Sequence, residues 1–221
     1  MRILCIAAHP DAEVLGCGGT LAKYAMGGHK IFLLVLGEGV MSRPGANRED
    51  IECLEEQCKK TSVLLGIDGP PVFLRFPDNR FDEIGLLTLV RVVERVIKGV
   101  CPDVIYTHSG SDLNIDHELT NRAVLTATRP VAGMKPTELV AFESPSSTEW
   151  SFGKQQFVPN AFVNIKETLD KKIEAVRIYK DEIRPFPHPR SPEALIARAK
   201  YWGSVSGLPA AEAFMVLRAI L

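Results

Sequence analysis

Residues 3–19 read ILCIAAHPDAEVLGCGG, and the change of character within that stretch decides the fold. The apolar run Ile3–Ala8 shows no polar alternation, the pattern of a strand buried on both faces of a parallel sheet. It stops at His9-Pro10-Asp11-Ala12-Glu13 and passes into a small-residue stretch with Gly16, Gly18 and Gly19, which opens a helix over Glu13–Met26. A strand that hands over to a helix in this way ends at the carboxyl edge of the sheet, where open α/β sheets place ligands and chemistry. A histidine, a stiffening proline and the carboxylates of Asp11 and Glu13 are therefore delivered to a candidate site.

The same alternation continues outward from this stretch. Strands are expected at Lys30–Leu36, Pro71–Phe76, Val104–Thr107 and Leu139–Glu143, separated by helices at Arg48–Leu65, Ile84–Lys98 and Glu118–Thr128. This order with short connections predicts an α/β fold with a three-layer parallel sheet and right-handed crossovers. After Ser144 the rhythm changes. An irregular insert covers Pro145–Pro159, then come a short strand at Ala161–Ile165 and a charged amphipathic helix at Lys166–Tyr179. Arg184–Arg190 is too rich in proline for helix or central strand, Ser191–Trp202 is a helix with Pro192 in its first turn, and Ala211–Ile220 closes the chain. A single domain over 1–221 is expected, with a core over 1–145 and a C-terminal cap over 146–221.

Bulk properties narrow the function. A chain of 221 residues suits one domain, and a net charge of −1 without a Lys/Arg cluster argues against a nucleic-acid partner. The five cysteines form no CxxC pair, which fits a reducing compartment; Cys5 and Cys101 read as small buried hydrophobes. No apolar run is long enough for a membrane span and no signal peptide is visible, so the cytoplasm is the expected location. The apolar tail Ala213–Leu221 could pack on its own core or form a homo-oligomer.

Strand polarity alone brings His9, Asp11, Glu13, Ser42-Arg43, Asp78-Asn79-Arg80 and the segment from His108 to His117 to one edge. His9 and His117 become neighbours if the strand order is 3-2-1-4-5. Two imidazoles with a carboxylate and an open position make a usual catalytic zinc site, in which Asp11 or Asp116 could take a proton from the water. The competing readings are a hydrogen-bonded structural histidine and an ordinary helix N-cap in Asn114-Ile115-Asp116-His117. The glycines lack the GxGxxG register of a dinucleotide site, and no GxSxG elbow is present. A hydrolase with a metal leads on spacing.

AHPDAEVLGCGGTLAKYA, residues 8–25, resembles the AHPDDE signature of the PIG-L/LmbE-like zinc-dependent de-N-acetylases, and NIDH at 114–117 is similar to that family's second motif. The resemblance implies a Rossmann-like, LmbE-like fold, Zn2+ as cofactor, and removal of acetyl groups from N-acetylglucosamine-type sugars or related small amides. It further implies that His9 and His117 are metal ligands, Asp11 the general base, and Asp116 a carboxylate that orients the metal histidine. His188 becomes a candidate for steadying the tetrahedral oxyanion. Arg43 and Arg80 are candidates for substrate hydroxyls or phosphates, and Asn114, where several members carry a histidine, joins them at the substrate. Glu13 supports the helix start.

Ala12 departs from the pattern. It occupies the position of the second Asp of AHPDDE, itself a zinc ligand in the family, and a methyl group binds no cation. The change is an engineered inactivation, a natural loss of catalysis with binding retained, or a loss repaired by Asp11 or Glu13 rotating in. The first is preferred, because the other motif residues are in place. The expected function is a de-N-acetylase architecture for an N-acetylated sugar or glycoconjugate, impaired as written. A catalytically dead sugar- or partner-binding protein is the alternative.

Overall fold

A computed structural model describes residues 1–131, 136, 138–152 and 156–220. Strands β1 (Arg2–Ala7), β2 (Lys30–Gly37), β3 (Val72–Phe76), β4 (Val104–His108) and β5 (Glu138–Phe142) run parallel, and β6 (Ala161–Asn164) and β7 (Ala211–Ala219) complete the sheet. The strand order is β3-β2-β1-β4-β5-β7-β6, so the 3-2-1-4-5 arrangement forms its centre. The helices are α1 (Ala12–Met26), α2 (Arg48–Leu65), α3 (Phe81–Ile84), α4 (Leu86–Val100), α5 (Ile115–Ala127), α6 (Leu169–Ile178) and α7 (Pro192–Ser206). β1 is apolar throughout because it lies between β2 and β4 with helices on both faces. Ile3, Cys5 and Ala7 pack with α1, α2 and α6, whereas Leu4, Ile6 and Ala8 pack with α4 and α5.

Several boundaries differ from those read in the sequence. The helix expected over Ile84–Lys98 is found as α4, preceded by the separate short helix α3, with Gly85 at φ +79 between them. Helix α5 starts at Ile115, three residues earlier than expected, because the Asn114 side chain caps it. That places Asp116 and His117 in a helical first turn rather than at the end of a loop. Cys101 is exposed, not buried: it ends α4 in the left-handed region with φ +46. The closing segment forms β7, antiparallel to both β5 and β6, so the tail packs within its own sheet. Residues 153–155 of the expected insert, and Leu221 of the tail, lie outside the described residues. Among the described residues no helix is long and apolar enough to cross a membrane.

The glycines of α1 serve close packing. A Cβ on Gly16 would lie 2.2 Å from the Phe142 ring, and one on Gly19 would lie 3.0 Å from Ile165. The C-terminal elements are fastened to α1 by a buried ion pair, Lys172 Nζ to Glu212 Oε1 at 2.6 Å. Glu212 also accepts from the Gly19 and Thr20 N–H groups at 3.0 and 2.7 Å, and Lys172 donates to the Leu15 carbonyl at 2.9 Å. A buried ion relieved of its partner is costly. Glu212→Ala is therefore expected to lower unfolding free energy by about 3–5 kcal/mol in urea titrations, with a smaller loss when Lys172→Met accompanies Glu212→Leu.

Candidate active site

The loops that follow β1 to β5 meet at one edge of the sheet, tied together by the buried carboxylate of Asp116. Its Oδ2 lies 2.8 Å from His9 Nε2 and accepts from the Asn79 N–H at 2.7 Å, and its Oδ1 accepts from the Phe81 N–H at 3.0 Å. Asp78 lies beside it, with Oδ1 3.3 Å from His9 Nε2 and Oδ2 accepting from the Ser42 N–H (3.0 Å) and hydroxyl (2.6 Å). The donor atoms of His9, Asp78 and Asp116 thus lie within 4.8 Å of one another, a grouping able to hold a cation. Most of their oxygens already accept from N–H or O–H groups, so the cluster first serves to fix the His9 ring. Asp116 is not a free carboxylate at the mouth.

His117 is oriented by a different acid. Its Nδ1 lies 3.1 Å from Asp112 Oδ1, off the line of a good hydrogen bond. Asp112 also accepts from the Ser147 hydroxyl, the Thr148 hydroxyl at 2.6 Å and the Asn114 N–H at 2.9 Å. Burial works to raise the Asp112 carboxyl, but His117 and the two hydroxyls hold it below its ordinary range. Burial lowers the His117 imidazole, against the pull of Asp112, so the ring is neutral at pH 7 and keeps a lone pair for a ligand. His117 stacks on His108, with ring centroids 4.0 Å apart. His108 Nε2 accepts from the Ala8 N–H at 2.9 Å, which makes Nδ1 the protonated nitrogen facing Ser144 Oγ at 3.0 Å. Burial holds that ring well below the usual histidine range.

Asp11 sits between β1 and α1 at φ 97, ψ −33, a region few residues other than glycine occupy. Its N–H is held by Glu13 Oε2 at 3.0 Å, and Glu13 Oε1 accepts from the Tyr179 hydroxyl at 2.6 Å. Its carboxylate Oδ2 meets Arg190 Nη1 at 2.8 Å. Arg190 also reaches Glu182 Oε2 at 3.2 Å, and Arg43 Nη2 contacts both Glu182 oxygens at 2.6 and 2.7 Å. Burial pushes the Asp11 carboxyl up to about 7, Arg190 opposes this, and the Glu182 and Glu13 carboxylates add to it. Burial likewise carries Glu13 up to about 7, against the Tyr179 hydrogen bond.

The remaining candidates fall in different places. Ala12 is buried at the start of α1 with its methyl in the apolar cluster. Glu13 is fully buried and hydrogen-bonded through both oxygens, to the Asp11 N–H and the Tyr179 hydroxyl. Asn114 donates its side-chain amide to Asn79 at 2.9 Å and so sits on the rim. Arg43 is engaged by Glu182, and Arg80 pairs with Glu83 on the exposed side of α3. His188 is half-buried, its Nδ1 accepting from the Arg190 N–H at 3.1 Å. Asp112, Glu182, Arg190 and Tyr179 join the site without a local motif. The nearest signal is the position of Asp112 in the loop that carries NIDH, and of Arg190 beside His188.

A family model described as PIG-L, GlcNAc-PI de-N-acetylase, matches residues 4–128. The chain is 29% identical over 170 residues to the uncharacterized deacetylase YaiS of Escherichia coli (strain K12), covering 75% of this chain and 82% of that protein. It is 27% identical over 218 residues to the diacetylchitobiose deacetylase of Thermococcus kodakarensis, covering 93% of this chain and 79% of that one. In structure it is similar to the conserved protein TT1542 from Thermus thermophilus, with TM-score 0.77, 26% identity and coverage of 99% and 96% of the two chains.

The raised carboxyls have a thermodynamic signature. Glu13 moves from its ordinary 4.5 to about 7, so the folded protein keeps a proton that the unfolded chain releases between those values. The stabilisation from that proton is present below about pH 4.5 and is lost as the pH rises to about 7. His108 and His117, both lowered, titrate in the opposite sense, while Asp11 is raised in the same sense and partly by Glu13 itself, so comparing wild type with Glu13→Gln reads Glu13 together with its share of Asp11. Urea titrations across this range should show the variant gaining stability relative to wild type as the pH rises.

Proposed function

This chain belongs to the PIG-L family, and on that premise we propose that it is built as a de-N-acetylase of N-acetylated amino sugars, impaired in this form by Ala12. The observation that carries the proposal is the pairing of two neighbouring imidazoles, each braced by its own buried carboxylate, with the buried Asp11 on the same sheet edge. The donor chemistry suits zinc in its nitrogen half, with His9 and His117 as the residues that would hold it. The carboxylate half is short by one, since Ala12 offers none. Zinc, when bound, supplies Lewis-acid polarisation of the amide carbonyl and acidification of water.

The chain's own groups account for the rest of the chemistry. With its carboxyl raised to about 7, Asp11 can take a proton from the attacking water near neutral pH and return it to the leaving nitrogen. Water adds to the acetyl carbon, the C–N bond breaks, and acetate and a free amine result. Arg190 holds the Asp11 carboxylate in place and partly offsets the effect of burial on it. His188 accepts at Nδ1, so in its neutral form it carries the proton on Nε2 and can donate to an oxyanion. Arg43, Arg80 and Asn114 stay candidates for sugar hydroxyls, each with a partner of its own in Glu182, Glu83 and Asn79.

The test is restoration. Ala12→Asp with added zinc should release acetate from N-acetylglucosamine-type substrates at a rate more than about 10-fold above the Ala12 form, since even outer-shell changes cost 10–100-fold. A variant that gains neither metal content nor acetate release sinks the proposal. Calorimetry with and without chelator addresses the binding-protein alternative, which Ala12 itself motivates. That reading requires sugar affinity in the present chain that is indifferent to zinc and to the substitution.

A further inference from the structure

We infer that Tyr179, at the end of α6, is a positioning residue for Asp11, acting on its backbone through Glu13 and on its side chain through the turn that carries Glu182. The inference rests on the reading of Asp11 as the group that moves the proton. Asp11 holds a sparsely populated backbone conformation, φ 97 and ψ −33, which persists only where surrounding contacts over-determine it. One contact is the hydrogen bond from the Asp11 N–H to Glu13 Oε2 at 3.0 Å. The other oxygen of Glu13, deep in the core, is fixed by the Tyr179 hydroxyl at 2.6 Å, with the Cys58 thiol a weaker second donor at 3.9 Å, so the hydroxyl supplies the strong half of its hold.

The second contact is the ion pair from Arg190 to the Asp11 carboxylate at 2.8 Å. Arg190 is held in turn by Glu182, 3.2 Å away. Glu182 is presented by a turn whose N–H groups, from Glu182 and Ile183, donate to the Tyr179 carbonyl at 3.0 and 3.3 Å. One residue therefore anchors both restraints, with its hydroxyl on one side and its carbonyl on the other.

A purely space-filling role would be served equally by phenylalanine, so the hydroxyl is the atom to test. In the full chain, the Asp11 amide is followed by 15N NMR and hydrogen exchange in wild type, Tyr179→Phe and Thr61→Val. The last removes the other hydroxyl partner of Tyr179, 3.3 Å away, and leaves the Glu13 bond. Tyr179→Phe should shift the Asp11 amide and speed its exchange about 10-fold or more, as expected for loss of a locked hydrogen bond, while Thr61→Val leaves it in place. In the Ala12→Asp protein with zinc, the same Tyr179→Phe change should lower kcat by about 10- to 100-fold with KM little altered. An unmoved Asp11 amide overturns the inference, as does a moved amide with unchanged kcat in an active Ala12→Asp enzyme. Should Tyr179→Phe not fold, Glu13→Leu, which removes both carboxylate oxygens, must loosen the same amide, and failure to do so overturns the inference equally. An Ala12→Asp protein without any turnover counts against the de-N-acetylase reading, while the Asp11 amide still decides whether the restraint exists.

Discussion

The architecture of the site depends on the burial of one carboxylate. Asp116 is fully enclosed, and an ion in that position is tolerable only when hydrogen-bonded on all sides. The requirement is met by His9 from the loop after β1 and by the N–H groups of Asn79 and Phe81 from the loop after β3. Asp78 extends the same net to Ser42 after β2. Loops from distant parts of the sequence are thus registered against one atom group, and the edge of the sheet becomes a site with a fixed shape. An apolar residue at 116 would leave two backbone donors buried without partners and His9 without an orienter.

Around that anchor each imidazole and the Asp11 carboxylate has a charged group as its nearest partner. His9 faces Asp116, His117 faces Asp112, and Asp11 faces Arg190. The acids have different surroundings and are pushed in different directions. Asp112 is held low by His117 and two hydroxyls, whereas Asp11 is carried up to about 7 by burial despite Arg190. The two carboxyls are thus driven apart, Asp112 toward the anion beside an imidazole and Asp11 toward a value near neutral pH. Glu13 adds a third role, since it holds the backbone of Asp11 rather than any reacting atom.

The part of this arrangement legible in the sequence is the part written in local patterns. The unbroken apolar run Ile3–Ala8 followed by His9-Pro10-Asp11 announces a central strand and its functional edge, because burial on both faces removes the polar alternation. His117 is legible from the NIDH segment, and Asn114 from its capping chemistry. Asp112, Glu182, Arg190 and Tyr179 are not, because their partners lie up to about 180 residues away and only the folded chain brings them together. Asp116 pairs with His9 and not with its sequence neighbour His117 for a helical reason. Once α5 begins at Ile115, consecutive side chains diverge by about 100°, and the two residues face different partners. The closing segment Ala211–Ile220 carries too little alternation to announce an antiparallel strand flanked on both sides.

Ala12 acquires its meaning from these fixed partners. On the de-N-acetylase reading, mobile neighbouring acids could make good the absent carboxylate by rotation, and alanine at this position would be nearly silent. They are not mobile: Glu13 is held by the Asp11 N–H and the Tyr179 hydroxyl, and Asp11 by Arg190. The methyl also packs in the apolar cluster, so the fold does not need a carboxylate at this position. Adding one without a cation would set a third acid between Asp11 and Glu13, both already raised by burial. The fixed partners of these two acids therefore make alanine the easier residue at position 12. A carboxylate there would bring a further buried charge next to both, and it would be tolerable only with an opposite charge to offset it.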